Sequence, residues 1–489
     1  MTMIVEQLYT NCLAQGAYYI QSEGEAAIID PLREYKPYLD LAAKDNATIK
    51  YIFETHFHAD FVSGHLDLAA KTGADIVFGP GAQTSYKSVI ATDNQEFKLG
   101  KLTIKVIHTP GHTLESVCYL LLDENQKPLH IFTGDTLFIG DVGRPDLAIK
   151  STLTQEDLAG MLYDSLRNKI MTLPDDVIVY PAHGAGSACG KNMSKETFDT
   201  LGNQKKTNYA LANITKQAFI KELTTGILPA PQYFAKNAML NKSGYANYDD
   251  VSLKGTKAIT NDELKQHIAN KAALILDVRK PQEFAKEHIK NALFIGIDGQ
   301  FAPWVGALIT DLHQPIILIT PVGREHETVM RLSRVGYDNC IGCLAGGIEG
   351  WKKDNNPIET ITSIEATMFA SQLENEKLNI LDVRKPGEYE STHLCSVDSF
   401  PLDYITDWQS TLDKNKPYHI HCAGGYRSMI AASILKQNGF TNLVDVMGGF
   451  GAIQQTNAKV VTSACKTELK KEAGKSTGFL AKLFSRKTI

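Results

Sequence analysis

Short runs of alternating apolar and polar residues fill the first half of the chain, a period-two pattern that predicts half-buried strands. Residues 16–20, 26–29 and 49–53 read this way. The second run ends at Asp30-Pro31 and the third opens onto T-H-F-H-A-D-F-V-S-G-H, Thr55 to His65. Between and after these runs the spacing changes to three and four, predicting helices over 38–46 and 66–72. Three more strands follow, over 102–107, 129–133 and 177–180. Each runs into a polar junction: H-T-P-G-H delivers His112, G-D-T-L delivers Asp135 and P-A-H-G delivers His183. Helical patterns over 195–205 and 208–225 come next, then an extended Pro229-Ala230-Pro231 and a polar stretch, 242–254, that reads as a linker.

The second half carries an internal repeat. L-I-L-D-V-R-K-P-Q-E-F from Leu274 returns as L-N-I-L-D-V-R-K-P-G-E-Y from Leu378. His288-Ile289 answers His393-Leu394, and G-G-I-E-G at Gly346 answers G-G-F-G-A at Gly448. Both copies alternate apolar strands with helices, at 315–320 and 326–335 and again at 418–421 and 427–438, which predicts α/β units with mainly parallel sheets. After Gly451 the pattern fades into a lysine-rich tail.

Composition narrows the class. At 489 residues the chain is too long for one core and is expected to hold about three domains. Hydrophobic residues at 43%, charged residues at 21% and a net charge of −5 describe a globular protein with no call for a nucleic-acid partner. With no secretory leader and no apolar run of membrane-spanning length, the expectation is a cytoplasmic protein, and a homo-oligomer. Eight cysteines are scattered rather than framed for disulfides, so their thiols are expected to be reduced and some of them chemical.

Chemistry concentrates at strand ends, where a rigid scaffold converges distant side chains. His56, His58 and Asp60 form H-x-H-x-D, a nitrogen and carboxylate mix that suits borderline and harder divalent metals. In G-D-V-G-R-P-D, Arg144 either anchors an anionic substrate group or pairs with Asp141 or Asp146. Cys189, in the small-residue loop G-A-G-S-A-C-G after His183, reads as a sulfur acceptor or gate, or as a small buried thiol. In the second repeat the strand 418–421 is followed by C-A-G-G-Y-R-S. There Cys422 sits beneath a helix N-terminus, ringed by the amides of Ala423, Gly424, Gly425 and Tyr426 and close to Arg427, all of which favour thiolate. In the first repeat the same junction reads I-T-P-V-G-R-E-H, with Thr320 in place of Cys422 and Glu325 in place of Arg427. The pair Cys340 and Cys343, C-I-G-C, falls before a Gly-Gly turn rather than at a helix start and reads as plain strand-end thiols.

H-x-H-x-D, G-H-T, G-D-T and P-A-H together resemble the metallo-β-lactamase fold, an αβ/βα sandwich with its metal at one sheet edge, over residues 1–245. D-V-R…E and H-C-x-x-G-x-R-S resemble the rhodanese domain, and the fusion resembles the persulfide dioxygenase–rhodanese proteins. A phosphatase shares the cysteine and the terminal arginine, but the D-V-R motif favours sulfur transfer. The implied architecture is an α/β multidomain chain: a metallo-β-lactamase domain, an inactive rhodanese-like module at 256–355, an active one at 360–452 and a basic tail at 453–489. In dinuclear hydrolases of the first family a histidine follows the Asp of H-x-H-x-D; here that position is Phe61, which weakens a second metal site. The resemblance implies one Fe(II) held by His56, His112 and Asp135, with His58, Asp60 and His183 around them; zinc with His58 as a further ligand is the alternative. It implies oxidation of a low-molecular-weight thiol persulfide by O2 to sulfite, and sulfane sulfur carried on Cys422 to give thiosulfate, a detoxification of sulfide. A glyoxalase II-type thioester hydrolase and a sulfur-relay protein with a vestigial metal domain are the rival readings.

Overall fold

The computed structural model describes residues 3–147, 153–227 and 229–462. It divides into two compact units, Met1–Leu274 with Ile297–Gly347, and Ile275–Gly296 with the chain from Ile348 onward.

The first unit holds two six-stranded sheets. One consists, in spatial order, of β1 (Ile4–Thr10), β2 (Gln15–Ser22), β3 (Glu25–Ile29), β4 (Thr48–Phe53), β5 (Asp75–Phe78) and β6 (Val89–Ile90). The other runs through β7 (Glu96–Leu99), β8 (Leu102–His108), β9 (Val117–Leu122), β10 (Pro128–Gly134), β11 (Ile178–Pro181) and β12 (Asp199–Thr200). Alternate side chains of a strand face opposite sides, so each sheet serves two cores. Tyr18, Ile20, Ala27, Ile29 and Phe53 meet Ile104, Val106, Tyr119 and Phe132 between the sheets. Their neighbours Ala17, Tyr19, Ala26 and Ile28 pack with Tyr38, Ala42 and Leu68 of the helices Lys36–Lys44 and His65–Thr72. On the far side, Leu120, Ile131 and Val179 pack with Leu162 of the helix Gln155–Ser165 and Phe219 of the helix Lys216–Thr224. This is the expected αβ/βα sandwich.

Two local expectations are corrected. The helix expected over 195–205 starts at Leu201, because Asp199 and Thr200 extend the sheet beside β11 and the Thr200 hydroxyl then caps the helix at Asn203. The expected linker 242–254 contains the helix Tyr248–Gly255. The Asn247 side chain accepts from the Asp249 amide, and Asp249 and Asp250 occupy the first turn, where they suit the helix dipole.

The repeat contributes β13 (Ala258–Ile259), β14 (Leu274–Asp277), β15 (Leu293–Phe294), β16 (Ile316–Ile319) and β17 (Cys340–Leu344) from its first copy. In the first unit β17 lies between β13 and β16, parallel to both; in the second unit β14 and β15 pair parallel. The second copy supplies β18 (Thr362–Ile364), β19 (Ile380–Asp382), β20 (Thr392–Leu394), β21 (Tyr418–His421) and β22 (Leu443–Val446). Its sheet, β18-β22-β21-β19, is parallel throughout. A last strand, β23 (Val460–Thr462), pairs antiparallel with β20, so the tail begins ordered; residues 463–489 lie outside the described residues. Among the described residues no helix is long and apolar enough to cross a membrane.

Candidate metal centre and cysteine loop

β4, β8, β10 and β11 end at one edge of the sandwich, and the side chains that follow them meet there. His56, His112 and Asp135 are fully buried, with ligand atoms within 4.8 Å of one another. Their hydrogen bonds fix which atoms face inward. The Thr55 hydroxyl gives its proton to Asp30 Oδ2 at 2.8 Å, so at 3.0 Å it accepts from His56 Nδ1. His112 Nδ1 donates to the Arg144 carbonyl at 2.8 Å. Both rings thereby present a bare Nε2, the form in which imidazole ligates a metal. Burial and the neighbouring His58 hold His56 well below its usual range, which also keeps it neutral. Asp135 Oδ1 accepts from His183 Nδ1 at 2.8 Å, and Oδ2 turns toward the two histidines. Among the described residues His112 Nε2 and Asp135 Oδ2 have no hydrogen-bond partner. Orphaned buried atoms of this kind cost about 1–3 kcal/mol each unless a ligand takes them up. The donor set fits a divalent metal.

A second group abuts the first. His183 Nε2 lies 2.8 Å from Asp60 Oδ2, so the ring donates to a carboxylate at each nitrogen. Burial alone would lower its basicity, but Asp135 and Asp60 outweigh it and raise His183 well above the usual range. Cys189 completes this group; burial, with Asp60 and Asp135 nearby, pushes its thiol well up. Burial, with Asp60 and Cys189 nearby, also raises Tyr233, a residue that nothing in the local sequence pattern marks.

His58 is not grouped with His56; it stands instead with Asp30 and Glu54 in a separate set of buried side chains that could also hold a metal. Its Nε2 sits 3.0 Å from Asp30 Oδ1 and 3.5 Å from Glu54 Oε2, and these two carboxylates outweigh burial to raise it to about 9. The reason is local: residues 54–62 contain no strand, so alternate side chains need not share a face. Phe61, fully buried, packs its ring 4.3 Å from that of His58. Arg144 closes bidentately on Asp146 at 2.6 and 2.7 Å and donates to the Ala188 carbonyl. Of the two roles expected for it, the ion pair is the one the geometry displays.

In the second unit β21 runs into the Cys422 loop, and the helix Tyr426–Gln437 begins directly after it. Gly425, at φ +97°, turns its amide onto Cys422 Sγ at 3.1 Å. The Cys422 carbonyl accepts from Phe450, and a Cβ on Gly449 would stand 2.4 Å from that oxygen, which explains a glycine there. Arg427 is gripped by both oxygens of Glu388, at 2.5 and 2.8 Å. Tyr426 donates to the Gly296 carbonyl at 2.6 Å. The D-V-R motif is structural in both copies: Arg279 returns to Asp277 and Arg384 to Asp382 through paired hydrogen bonds. In the first-copy loop the Glu325 carboxylate accepts from the Gly323 amide at 3.3 Å and the Thr320 hydroxyl at 3.4 Å. The loop's own acid occupies the amide that an anion would use.

Comparison with known proteins agrees with this geometry. The metallo-beta-lactamase superfamily profile matches residues 11–183, and the rhodanese-like domain profile matches 260–354 and 365–456. A metallo-beta-lactamase from Staphylococcus aureus subsp. aureus COL is 31% identical, covering 70% of this chain and 98% of its own, with a TM-score of 0.60. The chain belongs to the metallo-beta-lactamase superfamily. Two tandem rhodanese-like domains follow the superfamily domain; both assignments mark an enzyme, and the first, with its His/Asp groups, marks a metal-binding site. ETHE1 from Myxococcus xanthus is 30% identical, covering 49% of this chain and 98% of its own, with a TM-score of 0.43. The probable hydroxyacylglutathione hydrolase glo2 of Schizosaccharomyces pombe is 32% identical over 160 residues, 32% of this chain. The chain spans 58% of that curated relative's length.

Proposed function

We propose that the metallo-beta-lactamase domain is a mononuclear Fe(II) persulfide dioxygenase and that the Cys422 domain is a rhodanese acting on the same sulfur. The observation that carries this is the inward set of His56 Nε2, His112 Nε2 and Asp135 Oδ2, a two-histidine, one-carboxylate group that leaves further positions open. Phe61 supports a single metal, since it offers no donor where a histidine would help hold a second; Asp60, His183 and Cys189 form a neighbouring group beside the set. The reaction is RSSH + O2 + H2O → RSH + SO3²⁻ + 2 H⁺. Bound by the three side chains, Fe(II) supplies the redox chemistry that joins oxygen to sulfur. Thr55 and the Arg144 carbonyl hold the two imidazoles in register, and His183, fixed between Asp60 and Asp135, keeps Asp135 oriented. Asp60 and Cys189 form the adjoining wall. In the third domain the Cys422 persulfide passes its outer sulfur to sulfite, giving thiosulfate and the free thiol, with Arg427 and the amides from Ala423 to Tyr426 offered to the anion.

Protein purified without added metal and supplied with a thiol persulfide is expected to hold about one iron per chain and to consume oxygen. His112→Ala is expected to lose both while sulfur transfer from thiosulfate persists. Two zinc ions per chain, with thioester hydrolysis and no oxygen uptake, overturns the proposal. That outcome is the second reading, which the likeness to the hydroxyacylglutathione hydrolase favours: a metal-activated water attacking a thioester.

A further inference from the structure

β22 carries a carboxylate that the sulfur-transfer chemistry leaves without a task. Asp445 is fully buried, and among the described residues it forms no ion pair. Its Oδ1 accepts from the Ser428 hydroxyl at 2.7 Å, and its Oδ2 lies 3.3 Å from Gln282 Nε2. Ser428 sits in the first turn of the helix that follows the loop, and its Oγ lies 3.7 Å from Cys422 Sγ, oriented to accept from the thiol. The three groups form one line: thiol to hydroxyl to carboxylate.

An uncompensated carboxylate in a core is costly, and a structure that needed only a hydrogen-bond acceptor for Ser428 would be served by a neutral side chain. The elements around Asp445 offer no cation to offset it. The helix Tyr426–Gln437 presents Ser428, while the guanidinium of the preceding Arg427 is held by Glu388. The helix Pro281–Lys286 presents Gln282. In β21 the paired residue is Ile420, so His419 and His421 alternate to the opposite face, and β18 has no ionisable residue.

We propose that Asp445 is a positioning residue for Cys422, receiving through Ser428 the proton that the thiol must lose before it takes up sulfur. The S–H bond breaks and the proton passes to Ser428 Oγ, while the Ser428 hydroxyl proton passes to Asp445 Oδ1. The hydroxyl then points back at sulfur as a donor. One negative charge moves from Asp445 to Cys422, where the Gly425 amide, the helix N-terminus and Arg427 receive it. The buried carboxyl becomes neutral, the form burial prefers; burial already raises it to about 6. Uptake then balances: thiolate and thiosulfate give the enzyme persulfide and sulfite.

The inference rests on the sulfur-carrier reading of Cys422, but its test does not require turnover. In the full-length protein the rate of Cys422 alkylation by iodoacetamide is followed from pH 5.5 to 9.5 by peptide mass analysis, in wild type, Asp445→Asn and Ser428→Ala. Wild type is expected to show a limb beginning near pH 6 as the carboxylate becomes able to accept the proton. Both variants are expected to lose that limb, reacting about tenfold more slowly at pH 6.5 and within about twofold of wild type at pH 9. A loss equal at every pH shows a packing role only and overturns the proposal, as does an unchanged profile. Absence of thiosulfate sulfurtransferase activity in wild type is a different failure, that of the carrier reading itself.

Discussion

Thr55 works harder than its size suggests. Its amide and hydroxyl both donate to Asp30, its oxygen receives His56 Nδ1, and its carbonyl receives the Val117 amide. Thr55→Val keeps the shape and removes the hydroxyl, leaving Asp30 Oδ2 and His56 Nδ1 short of a partner. It is expected to cost about 1–3 kcal/mol in thermal unfolding and to weaken iron retention, measured by metal analysis after dialysis, with sulfur transfer unaffected. This residue shows where reading the sequence stops. His56, His112, Asp135 and His183 were legible because each stands in a short polar motif directly after an apolar run. Thr55 stands in the sequence only at the head of such a motif, and Asp30 only at a strand end. Their partnership spans 25 positions, and hydrogen-bond direction leaves no mark on local spacing. His58 turns away from His56 for a related reason: H-x-H sets both rings on one side only in an extended strand, and this segment is not a strand.

At the scale of elements, the repeat itself was legible, and so were Thr320 and Glu325 in its first-copy loop; its Asp–Arg pairs were not. What the sequence did not reveal is how the first loop is filled. Thr320→Cys in a Cys422→Ser background is expected to give no measurable thiosulfate sulfurtransferase activity, because Glu325 still occupies the Gly323 amide and would face an incoming anion with like charge. Activity above the Cys422→Ser baseline would show that the carboxylate swings clear. The helix–strand corner after β14 yields a pH prediction. His288 stacks on Phe284 at 4.1 Å and donates Nδ1–H to the Phe284 carbonyl. Burial lowers it from the usual 6.5 to about 4. Its contribution is therefore whole above pH 6.5 and is lost as pH falls toward 4, since the unfolded chain takes the proton first. His288→Gln is expected to melt earlier than wild type at pH 7.5, with the gap shrinking by pH 4.5 in paired thermal scans. A gap constant with pH would assign the histidine a purely steric role.

For the whole molecule, one substitution separates the two proposed activities. Cys422→Ser is expected to leave oxygen consumption on a thiol persulfide within about twofold of wild type, since the metal site belongs to a different compact unit. The product is expected to change from thiosulfate to sulfite, read by ion chromatography of the quenched reaction. Thiosulfate formation by the variant at the wild-type rate would assign that step to another residue. The broad architecture was legible because three folding patterns follow one another along the chain. The partition into units was not, since the first repeat contributes strands to both and that sharing depends on packing.

The carboxylate lodged in the Thr320 loop also sets a stoichiometry. Two loops of the repeat stand on each polypeptide, and under the proposed function only the Cys422 loop takes up sulfur. Incubation with excess ³⁵S-thiosulfate labelled in the outer atom should therefore saturate at a single cyanide-releasable label per chain, however long the exposure. Under the proposed function the duplicated module adds mass and surface without adding capacity, and carried sulfur scales with the number of chains rather than with the number of modules.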